Sequence, residues 1–222
     1  MPCLALAKEI DGSAVVSSDI AEFPAHALIE LSASGGPDLR PWLEEALTGA
    51  TEQDLVQGGL IAQSVAQAAS FWRIRELMVE AQQKRGTHLR TDVAVPISAI
   101  GPFVADVTKA LTLALPGLLV VSYGHVGDGN VHVNALPPQG MTEASFRSWL
   151  GPLTEKVNDV VDRFGGSISA EHGIGLSKRE ALARRLPEKH RQLMRTIKDV
   201  MDPHELLAPG RILASAKFTQ SL

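Results

Sequence analysis

Apolar residues recur at steps of three and four in several stretches of the chain, and each such stretch predicts a helix that packs by one face. The first carries Leu39, Trp42, Leu43, Ala46 and Leu47, with Asp38 placed to cap its start. A longer one over 64–84 puts Val65, Ala68, Trp72, Arg75 and Val79 on a single stripe, and Gly86 ends it. Arg75 is the charge on that stripe. Its guanidinium either runs out to solvent, where Glu76 and Glu80 are within reach, or enters a cavity where it grips an anion with two parallel hydrogen bonds. A helix over 97–114 follows. Another opens at Thr142, carries Phe146, Trp149, Leu150 and Leu153, is kinked or split at Gly151-Pro152, and continues through Val157, Val160, Val161 and Phe164 to Gly165-Gly166. The last, over 188–201, shows Leu193, Ile197, Val200 and Met201 before Asp202-Pro203 stops it.

Between these helices lie short runs of β character: residues 27–32, Leu60-Ile61-Ala62, and 91–96. Residues 121–134 read as a hairpin, because Asp128-Gly129 suits a type I′ turn and β-prone residues flank it. That turn would set Val126 against Val131 and His125 directly against His132. Residues 167–175 form another short strand running into glycines. Strands alternating with helices around a hairpin predict an α+β domain, with a mainly antiparallel sheet covered by helices. Residues 1–24 show no period and read as an irregular lead-in. The body of the domain is then 25–202, and 203–222 an extended tail.

The 222 residues and the 45% of hydrophobic positions suffice for one sizeable core. A net charge of −4 gives no general basic field, so nucleic acid is not an expected partner, although a local cationic pocket for a small anion remains open. Cys3 is the only cysteine. It leaves no internal disulfide or cysteine metal site and fits a reducing compartment. The N-terminus lacks the basic leader of a signal peptide, and the longest apolar run, 110–121, is interrupted by Pro116-Gly117. The expectation is a soluble, cytoplasmic protein with no membrane span.

The candidate chemistry lies in the hairpin. Residues opposed across strands have Cβ atoms about 4.5–5.5 Å apart, a separation at which His125 and His132 can share a metal ion. Glu171, in Ser169-Ala170-Glu171-His172-Gly173, is the candidate third ligand, since imidazoles and a carboxylate around an open position are what catalytic metal sites use. The same spacing is also that of a hairpin with no ligand at all. Consecutive strand residues face opposite ways, so Glu171 and His172 serve one site only if the backbone turns there, which Gly173 permits. Gly124, Gly127 and Gly129 are not a phosphate loop, because a strand and not a helix follows them.

Three ordered segments, 124–132 (Gly-His-Val-Gly-Asp-Gly-Asn-Val-His), 169–178 (Ser-Ala-Glu-His-Gly-Ile-Gly-Leu-Ser-Lys) and 202–213, resemble the C-terminal half of the FAD-linked oxidases of the vanillyl-alcohol-oxidase type. The branch is that of D-2-hydroxyglutarate dehydrogenase, D-lactate dehydrogenase and the glycolate oxidase flavin subunit. The resemblance runs from about residue 23 to 213 and takes in 71–76 and 92–96. It implies a ferredoxin-like cap that forms the substrate side of the site, with FAD held by a separate N-terminal domain that this sequence lacks. It further implies that His125, His132 and Glu171 hold a divalent metal (Zn, Mn or Fe), that His172 abstracts the proton, and that Arg75 binds the substrate carboxylate. Arg90 stands where a substrate-contacting lysine is usual, Val79 replaces a threonine, Asn134 fits a polar pocket position, and Ala208 replaces an asparagine.

The implied chemistry is oxidation of a small anionic 2-hydroxy acid, with metal and base activating the hydroxyl and FAD accepting the hydride. The cap alone is expected to be inactive, to need an FAD-binding domain or subunit, and to be compatible with a homodimer. Two other readings stay open: a metal-dependent hydrolase built on His125, His132 and Glu171, and a non-catalytic assembly module.

Overall fold

The computed structural model describes residues 2–11 and 23–215. The chain divides into two compact units, residues 1–88 and 89–222. The first unit is helical: α1 (Pro2–Ile10), α2 (Arg40–Glu52) and α3 (Val65–Lys84). The lead-in is therefore helical over α1, not irregular, and the rest of that expectation falls on residues 12–22, outside those described.

α3 begins where expected. The Ser64 side chain caps it by accepting the Gln67 N–H at 3.1 Å. Its buried face differs from the expected stripe, however. Ile74, Leu77 and Ala81 are buried, whereas Val65 is 89% exposed and Trp72 40%. The reason is α1, whose Ala7, with Leu4 and Ile10, packs against Ile74 and Leu77 and so selects the neighbouring face. Arg85 closes this contact through both carboxylate oxygens of Glu9, the nearer at 2.6 Å. α2 starts at Arg40, whose N–H is accepted by Asp38 at 3.0 Å.

The runs 27–32 and 60–62 are not strands. Among the described residues no segment pairs with them, and Leu28, Ile29, Leu31 and Leu60 stay exposed. Side chains anchor them instead: the Trp72 indole donates to Glu30 at 2.8 Å, and Arg40 donates to the Ala62 carbonyl at 2.8 Å. Their apolar character was sound evidence of β preference, but a strand also needs a partner for its backbone groups.

The second unit is α+β. Strands β1 (Val93–Ala94), β2 (Leu119–Tyr123) and β3 (Asn130–Leu136) form an antiparallel sheet in the order β1-β3-β2. The helices are α4 (Ile100–Ala114), preceded by a 3₁₀ turn at Ile97–Ala99, then α5 (Glu143–Arg147), α6 (Leu150–Arg163), α7 (Arg179–Arg185) and α8 (Glu188–Met201). Val131, Val133 and Ala135 of β3 point one way into the core. They meet Phe103, Val107 and Leu111 of α4 and Leu153, Val157, Val160 and Val161 of α6. Each such side chain, fully buried, stabilises by roughly 1.5–3 kcal/mol. Ile97–Ala114 is apolar enough by length and composition to cross a membrane, yet its buried stripe is the core contact itself.

The break between α5 and α6 follows from Pro152. Having no N–H, it cannot bond back to the fourth residue before it, so the helix restarts at Leu150 and leaves Pro152 in a first turn. Residues 202–215 are turned, not extended. Asp202 accepts the N–H groups of Leu206 and Leu207, both at 2.9 Å, and Ile212 donates to the Gly175 carbonyl at 3.0 Å. Hydrogen bonds from Lys198 and from those two amides outweigh the cost of burial and hold the Asp202 carboxyl at about 2. α8 buries none of its residues, and Leu193, Ile197, Val200 and Met201 lie exposed along it.

Candidate functional site

The face of the sheet away from the core carries the polar residues. Pairing sets Tyr123 opposite His132 and Val121 opposite Asn134, so the expected facing of His125 and His132 is corrected. The hairpin does not turn at Asp128-Gly129. It closes through a 3₁₀ turn, Val126–Asp128, after which Gly129 takes φ +69°. A tertiary contact selects this loop: the Gly129 carbonyl accepts the Val95 N–H at 3.0 Å, pinning the loop to the end of β1. His125 is left at the loop entrance with its side chain exposed, its carbonyl accepting from Asp128 and Asn130.

His132 is half-buried between two rings. Tyr123 lies 5.2 Å from it, and His172 is stacked on it at 5.7 Å. Glu171 brings Oε2 to 4.0 Å from His132 Nε2. Asn134 is buried and donates to the Tyr123 hydroxyl at 3.1 Å, while its carbonyl accepts the Thr91 N–H at 3.4 Å. The sequence-predicted residues His132, Asn134, Glu171 and His172 thus share one face.

Arg90 is exposed. With Asp92, Asn158 and Lys178 it lines a cavity of about 360 Å³. Arg75 is half-buried on α3, in the first unit.

The segment that presents Glu171 and His172 is not a strand. Only Ser167 bridges to Ala94, after which the backbone turns, with Gly173 at φ +71°. The turn is built around Asp92, which sequence reasoning missed. Its carboxylate accepts N–H groups from Ala170 (3.2 Å), Glu171 (3.1 Å) and His172 (2.9 Å), the Ser169 hydroxyl (3.3 Å) and the Asn130 amide (3.1 Å). Lys178 Nζ donates to the Asp92 carbonyl at 3.2 Å and lies 3.7 Å from its carboxylate. The available signal was an acid inside the apolar run 91–96, since a buried charge has to be partnered. Burial pushes the Asp92 carboxyl up, but hydrogen bonds from the His172 and Glu171 amides and the charges of Lys178 and His172 prevail and hold it below the usual carboxylate range. Burial pulls the Lys178 ammonium down despite its Asp92 partner.

Two arrangements could hold a divalent cation. His132 Nε2 and Glu171 Oε2 fall within the span of two bonds of about 2.1 Å to one ion. Separately, ligand atoms of Asp92, Glu171 and His172 lie within 4.8 Å of one another. In that second group the Asp92 oxygens already accept several N–H and O–H donors, which leaves little lone-pair capacity for a metal. The first set avoids that saturated carboxylate, and its imidazole and carboxylate donors fit Zn, Mn or Fe. Beside it, Asn130 Oδ1 is buried and, among the described residues, meets no donor.

Residues 4–212 match the family of FAD linked oxidases, C-terminal domain. A D-2-hydroxyglutarate dehydrogenase of Xanthomonas citri pv. viticola is 45% identical over 161 residues, covering 72% of this chain and 34% of that protein. One from Stutzerimonas stutzeri is 30% identical over 214 residues, covering 95% of this chain and 45% of the relative. The mitochondrial enzyme of Arabidopsis thaliana is 36% identical over 196 residues, covering 87% of this chain and 33% of the relative. The chain therefore spans less than half the length of these relatives.

Proposed function

The chain belongs to the FAD linked oxidase C-terminal domain family, and from that premise we propose that it forms the substrate- and metal-binding part of a flavin-dependent dehydrogenase of D-2-hydroxy acids. The observation that carries the reading is the meeting of His132, Glu171 and His172 on one sheet face, with a 4.0 Å approach of His132 to Glu171 and stacked imidazoles. His132 and Glu171 would hold the cation. FAD, carried by a partner domain or subunit, supplies the hydride acceptor. His172, two-thirds exposed and beside the metal ligands, takes the proton from the substrate hydroxyl at its ring nitrogen. Arg90 and Asn134 meet the substrate's carboxylate and polar groups, and orienting them fixes the direction in which the α-carbon hydrogen leaves. Tyr123 keeps Asn134 in place and walls one side of His132.

The test combines the chain with an FAD-binding domain from a relative and follows dye-linked oxidation of D-2-hydroxyglutarate, D-lactate and glycolate. Oxidation by the pair but not by the chain alone is expected, with His172→Gln lowering the rate about 10²–10⁴-fold. Undiminished turnover by His172→Gln, or no uptake of Mn²⁺ or Zn²⁺ by the wild-type chain, would overturn this reading.

A further inference from the structure

Asp92 is the most heavily engaged side chain of the second unit, and none of its contacts requires a ligand. Three consecutive amides, those of Ala170, Glu171 and His172, converge on its carboxylate at 3.2 Å, 3.1 Å and 2.9 Å. Successive N–H groups of a strand point to opposite edges, so such convergence requires the backbone to curl into a concave nest around an anion. Here the anion is the protein's own. Among the described residues no ladder or helix provides those amides with other acceptors. The carboxylate's direction is in turn fixed from below by Asn130 Nδ2 at 3.1 Å, on the strand that also carries His132.

We propose that Asp92 is the positioning residue of the site: by gathering these three amides it curls the 169–172 segment over β3 and so sets the Glu171 and His172 side chains against His132. The inference rests on the function proposed above only in calling that constellation an active site. The geometry removes the alternation problem, because Glu171 and His172, neighbours in sequence, reach the same imidazole only when their backbone bends around a single point. Lys178 completes the arrangement by holding the other side of Asp92, donating to its carbonyl at 3.2 Å. Hydrogen bonds to an ionised acceptor are shorter and stronger than neutral ones, so an aspartate is suited to this task. An asparagine of the same shape presents an NH₂ group to at least one of the three amides.

The experiment uses the full chain, wild type and Asp92→Asn, with three readouts. Amide hydrogen exchange at 170–172 is compared with that of Val131 and Val133; the nuclear Overhauser contact between the His132 and His172 rings is recorded; and Mn²⁺ is titrated by water proton relaxation. Asp92→Asn is expected to speed exchange at 170–172 at least about tenfold with Val131 and Val133 unchanged, to abolish the ring contact, and to weaken Mn²⁺ binding about 10–100-fold, the usual effect of losing an orienting partner. Unchanged exchange and ring contact would overturn the proposal. So would loss of Mn²⁺ binding with an intact loop, since Asp92 would then be a direct ligand. If the variant does not fold, the wild type decides: amides 170–172 exchanging as fast as an unstructured peptide would overturn it, and protected ones support it. A wild type with protected amides and the ring contact but no Mn²⁺ uptake supports the positioning role while removing the metal-binding function.

Discussion

Gly166→Ala is a substitution that the second unit should tolerate poorly for its size. A Cβ at this position would sit 2.3 Å from the Ala94 carbonyl oxygen, 2.9 Å from Val95 Cγ1 and 3.0 Å from Val161 Cγ1. The nearest obstacle is backbone, so no rotamer change relieves it, and β1 and the 167 segment must part by roughly 1 Å to reach ordinary van der Waals contact. That movement breaks the bridge between them, in which Ala94 N donates to Ser167 O at 2.9 Å and Ser167 N to Ala94 O at 2.8 Å. Two backbone hydrogen bonds at about 1 kcal/mol each, with about 1–3 kcal/mol for overpacking, give a loss of about 3–5 kcal/mol. Gly165→Ala is the control. It carries φ +64° with open space around it, so its cost is the left-handed conformation alone, about 1 kcal/mol. Urea unfolding followed by far-ultraviolet circular dichroism measures both. A Gly166→Ala loss no larger than that of Gly165→Ala would refute the close-approach argument.

Phe103→Ala removes a fully buried ring that meets Phe164 edge-on at 5.9 Å, and should cost about 3–5 kcal/mol, read as a fall in thermal midpoint. Ser64→Ala should cost about 1 kcal/mol in the first unit by removing the α3 cap, measured by urea unfolding of the same chain. Because the folded Asp92 carboxyl lies below its unfolded value, its contribution is present above an unfolded pKa of about 3.9 and lost as pH falls through the folded one. The stability difference between wild type and Asp92→Asn should therefore be full near neutrality and shrink under acid. A difference that grows toward low pH would reverse the sign of this coupling.

What could be read from the sequence was what local chemistry decides. The bounds of α3 follow from Ser64 and Gly86, and the division of α5 from α6 from Pro152. What escaped depended on distant partners. The hairpin register differs from the local expectation because Asp128-Gly129 is a good local turn, and nothing local reveals that Val95 will claim the Gly129 carbonyl. The buried face of α3 escapes the local pattern because α1, which selects it, lies more than fifty positions earlier. Residues 27–32 have strand composition without a strand's neighbour. The histidines and Glu171 stood out as chemistry-bearing types in the motifs, whereas Asp92, which organises the loop around them, looked like an interruption in an apolar run.

The uncovered stripe on α8 changes how the folded chain will look to a dye. Leu193, Ile197, Val200 and Met201 are between 55% and 76% exposed on one short helix. An apolar patch of this kind binds anilinonaphthalene sulfonate in the native state, the optical response commonly taken as a sign of loosened packing. Fluorescence melts with such probes will start from a bright baseline in a well-packed protein, and preparations should be judged by near-ultraviolet dichroism from the aromatic core instead.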